Sequence, residues 1–236
     1  LGGTVSNQLW GVEVQLEGTE EQLRGFLDRF VAELPPRAAL WSVQQRELTP
    51  QGEHGFRILS SQAQGATSAV VLPDLATCDA CHQDVKEPSN RRHRYAFTNC
   101  TDCGPRYSIV RRLPYDRPNT TMSGFALCPD CRGEYESPDD RRFHAQPNAC
   151  PRCGPKLWFE TLSGERLGDG DAALTEAVSL LRSGAILACK GLGGFHLMVD
   201  ARSEAATVRL RARKRRWEKA MRSEEHTSEL QSRYVI

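Results

Sequence analysis

The chain has 236 residues, of which 39% are hydrophobic and 26% charged, with a formal net charge of +1. That balance describes roughly one to three folded domains, excludes a disordered chain and supplies no field for steering onto nucleic acid or an anionic membrane. No apolar run approaches the roughly 18 residues of a membrane-spanning helix, and no charged start with a short apolar core marks a secretory signal. The first residue is Leu1, so the sequence enters a fold mid-stream and reads as a fragment.

In chain order, Val12, Val14 and Leu16 alternate with polar residues and predict a half-buried strand. Glu20 to Leu34 then sets Leu23, Phe26, Leu27, Phe30, Val31 and Leu34 on one helical face, and Pro35-Pro36 stops the helix. A second strand-like segment holds Val43 and Leu48, and Gly55 to Leu59 forms a third. Residues 78–153 are punctuated by cysteine, proline, arginine and aspartate with little apolar periodicity, so burial of apolar surface alone cannot order them. Beyond them, Ala172–Arg182 predicts a helix ended by Ser183-Gly184, and Ala185–Cys189 a buried strand. A glycine-rich turn, a short strand at His196–Val199 and a basic helix from about Ser203 follow.

The strongest signal is a repeat. Cys78-x-x-Cys81 is followed after 18 residues by Cys100-x-x-Cys103, and Cys128-x-x-Cys131 after 18 residues by Cys150-x-x-Cys153. The units are offset by 50 residues, and Pro88, Arg91, Arg92, Gly104 and Pro105 recur as Pro138, Arg141, Arg142, Gly154 and Pro155. Two residues between cysteines let both sulfurs reach one tetrahedral ion at about 2.3 Å, and two such pairs close a structural zinc shell. Absence of an export signal points to a reducing, cytoplasmic setting in which such pairs more often hold metal. Disulfide staples, redox pairs and iron–sulfur ligation are the competing readings. Spacing leaves open whether ligands pair within or across repeats, and His82, His93 and His144 lie near enough to replace one. The arginines at 91, 92, 94, 106, 111 and 112 are interleaved with Asp84, Glu87, Asp102 and Asp116, which predicts a solvated mixed-charge face rather than a nucleic-acid surface.

Three stretches carry a family resemblance. Tyr95-Ala96-Phe97-Thr98-Asn99-Cys100-Thr101-Asp102-Cys103-Gly104-Pro105-Arg106, then Pro114-Tyr115-Asp116-Arg117-Pro118, then Asp140-Arg141-Arg142-Phe143-His144-Ala145-Gln146-Pro147 resemble HypF, the carbamoyltransferase of nickel–iron hydrogenase maturation. The likeness runs from about residue 1 to Met221. It implies an α+β multidomain chain: a partial acylphosphatase-like, ferredoxin-type domain over 1–65, two tandem four-cysteine zinc modules within 66–160 (78–103 and 128–153), and the start of a YrdC-like α/β domain over 168–221. Residues 222–236 match nothing in the family and read as a foreign, artefactual tail.

The resemblance also implies roles. Gly3-Thr4-Val5-Ser6-Asn7 matches the stretch with the catalytic Asn that orients water against an acyl phosphate, which puts that role on Asn7; the phosphate-cradling loop is expected upstream. Alone, Asn7 also reads as a turn residue between strands. Lys190-Gly191-Leu192-Gly193-Gly194-Phe195-His196-Leu197, with Arg213-Lys214-Arg215-Arg216, resembles the opening of the YrdC-like domain, where the family binds ATP and carbamoyl phosphate and forms carbamoyl adenylate. Lys190, Gly191, Gly193, Gly194, His196, Lys214, Arg216 and Lys219 are the implied contacts, each with a plain alternative as a solvated or packing residue. Cys189 reads as a buried thiol. Zinc, ATP and carbamoyl phosphate are the expected ligands and HypE the expected partner, with membrane and nucleic acid not expected. The competing class is a non-enzymatic zinc-ribbon module that binds protein or nucleic acid.

Overall fold

The computed structural model describes residues 1–35, 37–61 and 71–217. Pro36, Lys219 and the tail 222–236 lie outside them. The chain divides into two units, Leu1–Pro73 with Ile109–Ser123, and Asp74–Ser108 with the chain from Gly124 onward.

In the first unit the predicted alternation yields β2 (Gly11–Glu17), which pairs with an unforeseen β1 (Gly2–Gln8) in an antiparallel hairpin in which Val5 faces Val14. β3 (Phe56–Ile58) adds to β1 in parallel, giving the order β2-β1-β3. α1 (Glu20–Ala32) starts on Thr19, whose side chain and that of Gln22 form a reciprocal capping box. Its apolar stripe is as periodic as expected, with Phe26 stacked on Phe30 at 5.5 Å, yet none of its residues is buried. A three-stranded sheet with a three-residue edge strand offers that stripe too little apolar area.

The strand expected around Val43 and Leu48 does not form; both side chains are exposed. The chain beyond it is held by a carboxylate instead of a ladder. Glu17 accepts the backbone N–H groups of Gln51, Gly52 and Glu53 at 2.9, 3.0 and 3.2 Å, which holds its carboxyl below the usual range.

The second unit carries both cysteine repeats and the α/β segment after them. Each repeat contains one eight-residue helix that periodicity did not reveal, α2 (Asp79–Lys86) and α3 (Pro129–Glu136). An unforeseen hairpin of β4 (Trp158–Glu160) and β5 (Arg166–Asp169) leads into α4 (Gly170–Arg182). β6 (Leu187–Gly191) and β7 (Gly194–Met198) pair antiparallel, and α5 (Glu204–Lys214) is capped by the Ser203 hydroxyl. The expectation of a buried strand at Ala185–Cys189 is corrected: β6 is half-exposed and Cys189 is only partly covered. Its sheet has two strands, and Phe195, Leu197 and Met198 of β7 are exposed. No helix of the described residues is long and apolar enough to cross a membrane.

Candidate metal centres

Each repeat builds its cysteine pairs in the same way. Cys78 is the N-cap of α2 and Cys81 follows within the first turn, so both sulfurs share one helix end. Cys128 and Cys131 repeat this on α3. The second pair of each repeat lies on a turn: Cys100 and Cys103 pair as an isolated bridge, and the Asp102 N–H donates to Cys100 Sγ at 3.4 Å. In the other repeat the Cys153 and Gly154 N–H groups both donate to the Cys150 carbonyl.

These turns bring the sulfurs of Cys78, Cys81, Cys100 and Cys103 within 4.8 Å of one another, and likewise those of Cys128, Cys131, Cys150 and Cys153. The sulfurs thus group within each repeat and not across the two. The Cys78–Cys100 and Cys128–Cys150 separations are 3.7 Å, and Cys100–Cys103 and Cys150–Cys153 are 3.8 Å. Four sulfurs at about 2.3 Å around a tetrahedral ion stand about 3.8 Å apart, whereas a disulfide needs about 2.05 Å. All nine cysteines are free thiols. The donor set therefore fits an ion and not a staple.

Crowding also splits the thiol acidities. Hydrogen bonds from Cys103 and Cys81 pull Cys100 strongly down, while sharing with Cys100 pushes Cys81 strongly up and Cys103 to about 11. In the second group burial opposes ionisation of Cys128, but the Cys131 N–H and the Cys150 thiol bring it down to about 7; burial pushes Cys131 up. Four thiolates can coexist at this spacing only around a cation that balances them.

The groups of metal-ligating side chains among the described residues contain cysteine alone. His144 packs on Tyr135 and Phe143, at 5.0 and 4.5 Å between ring centres.

The solvated-arginine expectation holds for Arg91, Arg94, Arg111 and Arg112, which are exposed, and is corrected at Arg92 and Arg106. Arg92 is 2% exposed and Arg106 7%, as is Arg142 of the second repeat at 5%. Arg106 threads its guanidinium among the carbonyls of Cys100, Thr101, Cys103 and Pro105, bracing the turn that holds the second cysteine pair. Arg92 forks onto Glu134 at 2.6 and 2.8 Å, and Arg91 joins the same carboxylate at 2.6 Å. Burial of Glu134 opposes its ionisation, but Arg92 and Arg91 outweigh it and hold the carboxyl at about 2. Arg141 and Arg142 both pair with Asp84. The carboxylates were the missed residues. Asp84 and Glu134 are themselves 50 apart, a recurrence that would have marked them as partners of the paired arginines.

Asn7 is exposed near the end of β1, opposite Val12, and so lies in a strand rather than a turn. Lys190 and His196 fall on the β6–β7 hairpin, with Leu192-Gly193 at its tip and Gly191 facing Gly194. The Lys190 ammonium lies over the Phe195 ring at 5.0 Å. The His196 ring covers Gly191, where a Cβ would come within 2.6 Å of its Nε2. Lys214 ends α5 and Arg216 follows in the loop, its N–H donating to the Arg211 carbonyl at 3.0 Å.

Two four-cysteine modules built on short helices, continued by a mixed α/β segment, define a tandem zinc-finger protein. A family profile described as HypF finger matches residues 77–110 and 127–160, and the Sua5/YciO/YrdC profile, described as telomere recombination, matches 179–223. The carbamoyltransferase HypF of Synechocystis is 48% identical over 221 residues, which cover 94% of this chain and 29% of that protein. HypF of Rhodobacter capsulatus is 48% identical over 92% of this chain and 28% of its own length. Among solved structures, full-length HypF in a phosphate- and nucleotide-bound form superposes with a TM-score of 0.79 at 37% identity, over 92% of this chain and 28% of that one. HypF of T. kodakarensis gives 0.79 at 40%, over 93% and 27%. The chain belongs to the HypF family. It spans under a third of the length of the curated relatives it matches.

Proposed function

We propose that this sequence is part of a cytoplasmic carbamoyltransferase of hydrogenase maturation, which uses carbamoyl phosphate and ATP to make carbamoyl adenylate and passes the carbamoyl group to a cysteine of HypE. The observation that carries the reading is the 48% identity to a carbamoyltransferase HypF along 221 residues. The chemistry balances in two steps: water cleaves carbamoyl phosphate to carbamate and inorganic phosphate, and the carbamate oxygen then attacks the α-phosphorus of ATP as pyrophosphate departs. The second step turns an unreactive carbamate into an acyl group with a good leaving group. The binding-module alternative has no such support, and its strongest sequence argument, the arginine cluster, is weakened by the burial of Arg92 and Arg106.

In this reading residues 1–65 are acylphosphatase-like, and Asn7 orients the water that attacks the acyl phosphate. Lys190, Gly191, Gly193, Gly194, His196, Lys214, Arg216 and Lys219 belong to the nucleotide and carbamoyl-phosphate site, backbone N–H groups at the glycines and the cationic side chains meeting phosphate oxygens. Cys78, Cys81, Cys100 and Cys103 hold one zinc, and Cys128, Cys131, Cys150 and Cys153 the other. A closed thiolate shell has no position for water, so the ions cross-link the chain rather than activate substrate.

Two measurements test this. Metal analysis of the purified chain is expected to give about two zinc ions, released when the thiols are alkylated; none, with cysteines oxidised in pairs, would remove the zinc assignment. A Synechocystis HypF carrying residues 1–221 of this chain in place of its own is expected to release pyrophosphate from ATP only with carbamoyl phosphate present. A folded, zinc-loaded chimera without that activity would count against the carbamoyltransferase reading.

A further inference from the structure

The paired arginines of each repeat make their shortest side-chain contacts with the other repeat; Arg142 also stands 3.8 Å from Glu134 of its own. Arg91, in the first, sets both terminal nitrogens 3.4 Å from the Cys131 sulfur of the second, and Arg92 places one at 3.6 Å. Arg141, in the second, donates to the Cys81 sulfur of the first at 2.9 Å. The backbone is braced in the same crossed sense. Arg92 Nε donates to the Ala149 carbonyl at 2.9 Å and Arg142 Nε to the Asn99 carbonyl at 3.0 Å. Each of those carbonyls immediately precedes the third cysteine of its group. Asp84 and Glu134, on the helices that carry Cys81 and Cys131, fix the guanidinium groups in place.

A divalent ion ringed by four thiolates keeps an excess of negative charge, and burying it is costly without donors or cations at the sulfurs. Cys81, Cys100, Cys103, Cys131 and Cys150 are all 2% exposed or less. The guanidinium groups that reach the sulfurs of each group come from the other repeat. We infer that Arg91, Arg92, Arg141 and Arg142 are reciprocal positioning residues that couple the two centres, so that the chain takes up its two ions cooperatively. Arginine suits the task because it is always charged and its planar fork reaches a sulfur and a carboxylate at once. The inference rests on the metal reading of the two groups.

The test is zinc uptake by the metal-free full chain in a chelator-buffered zinc(II) series, with zero-, one- and two-ion species counted by native mass spectrometry. Coupling predicts that the second ion binds about tenfold more tightly than the first or better, which holds one-ion chains to about a quarter or less at half-saturation; independent sites would put about half of all chains in that state. The C128S/C150S variant, which disables the second group, is expected to lower zinc affinity at the first by about tenfold or more. R91Q/R141Q, at two partly exposed positions, is expected to let one-ion chains accumulate. Uptake of two ions at statistical proportions, or wild-type affinity at the first group in C128S/C150S, would overturn the inference, and the cysteine variant decides alone should the arginine variant not fold. A chain that binds no zinc fails the metal reading itself, whereas one that binds two independently fails only the coupling.

Discussion

Stripping the metal from this chain with a strong chelator at neutral pH is expected to melt α2, α3 and the turns of both repeats, while α4 and the β1–β2 hairpin persist. The reason is what lies at the centre of the repeats. The buried apolar cluster of the first is Cys81, Cys100 and Cys103, with Cys78 packed against it; the four cysteines are the core. Helices of eight residues do not survive alone in water, because nucleation costs more than so few hydrogen bonds return. Structural zinc contributes about 10–16 kcal/mol of apparent binding energy at neutral pH, comparable to the whole stability of a small domain. Lowering the pH should act in the same direction, since protons compete with the ion for sulfur and thiols regain them as acidity rises. Hydrogen exchange read by mass spectrometry checks this. Amides of α2 and α3 should lose protection on chelation and recover it with zinc; protection that persists without metal would show that the arginine–carboxylate network suffices.

Gly154→Ala is expected to destabilise the zinc-loaded chain by about 2–3 kcal/mol or more, although a single methyl is added. A Cβ there would lie 2.2 Å from the Tyr95 hydroxyl and 2.4 Å from the Ala149 Cβ. Tyr95 cannot easily retreat: it is 6% exposed and its hydroxyl donates to the Pro155 carbonyl at 3.0 Å. Moving it would leave a buried hydroxyl without a partner. The matching Gly104 is constrained differently, by a left-handed φ of 92° together with a Cβ position 2.6 Å from Asn99 Cβ. Gly133→Ala, in α3 and facing open space, is the control and should be neutral or stabilising by up to about 1 kcal/mol. Urea unfolding of the loaded proteins compares the three; a Gly154→Ala curve that overlays the parent would show the Tyr95 contact to be soft.

The cysteine spacing was legible because metal chemistry is local: a pair two residues apart, doubled, constrains four sulfurs whatever surrounds them. Strand β2 and the helices α1, α4 and α5 were legible for the same reason, since their periodicity and caps lie within one element, whereas β1 was not read as a strand. The partners of Arg92 and Arg142 were not. They depend on which repeat faces which, and a charged run in sequence looks the same whether it meets solvent or a carboxylate 42 residues away. The segment around Val43 and Leu48 misled in the opposite way, with strand-like residues and no neighbouring strand to receive them. α2 and α3 escaped notice because a helix with a sulfur where a leucine would stand has no apolar stripe to detect.

The crossed bracing has a consequence for how such a sequence arises. Contacts in which Arg92 meets Glu134 while Arg142 meets Asp84 are those of a two-fold interface, self-complementary and closed, drawn within one polypeptide. Joining two copies of a symmetric pair end to end preserves every such contact and releases the halves from having to be identical. The backbone keeps the older symmetry: Arg94 and His144, at matching places, both adopt left-handed φ values of 58° and 51°, and their N–H groups reach the Val85 and Tyr135 carbonyls. The side chains have drifted, with His93 against Phe143 and Asn99 against Ala149. Within one polypeptide each half can carry its own side chains on one face while the crossed contacts of the other keep the pair together.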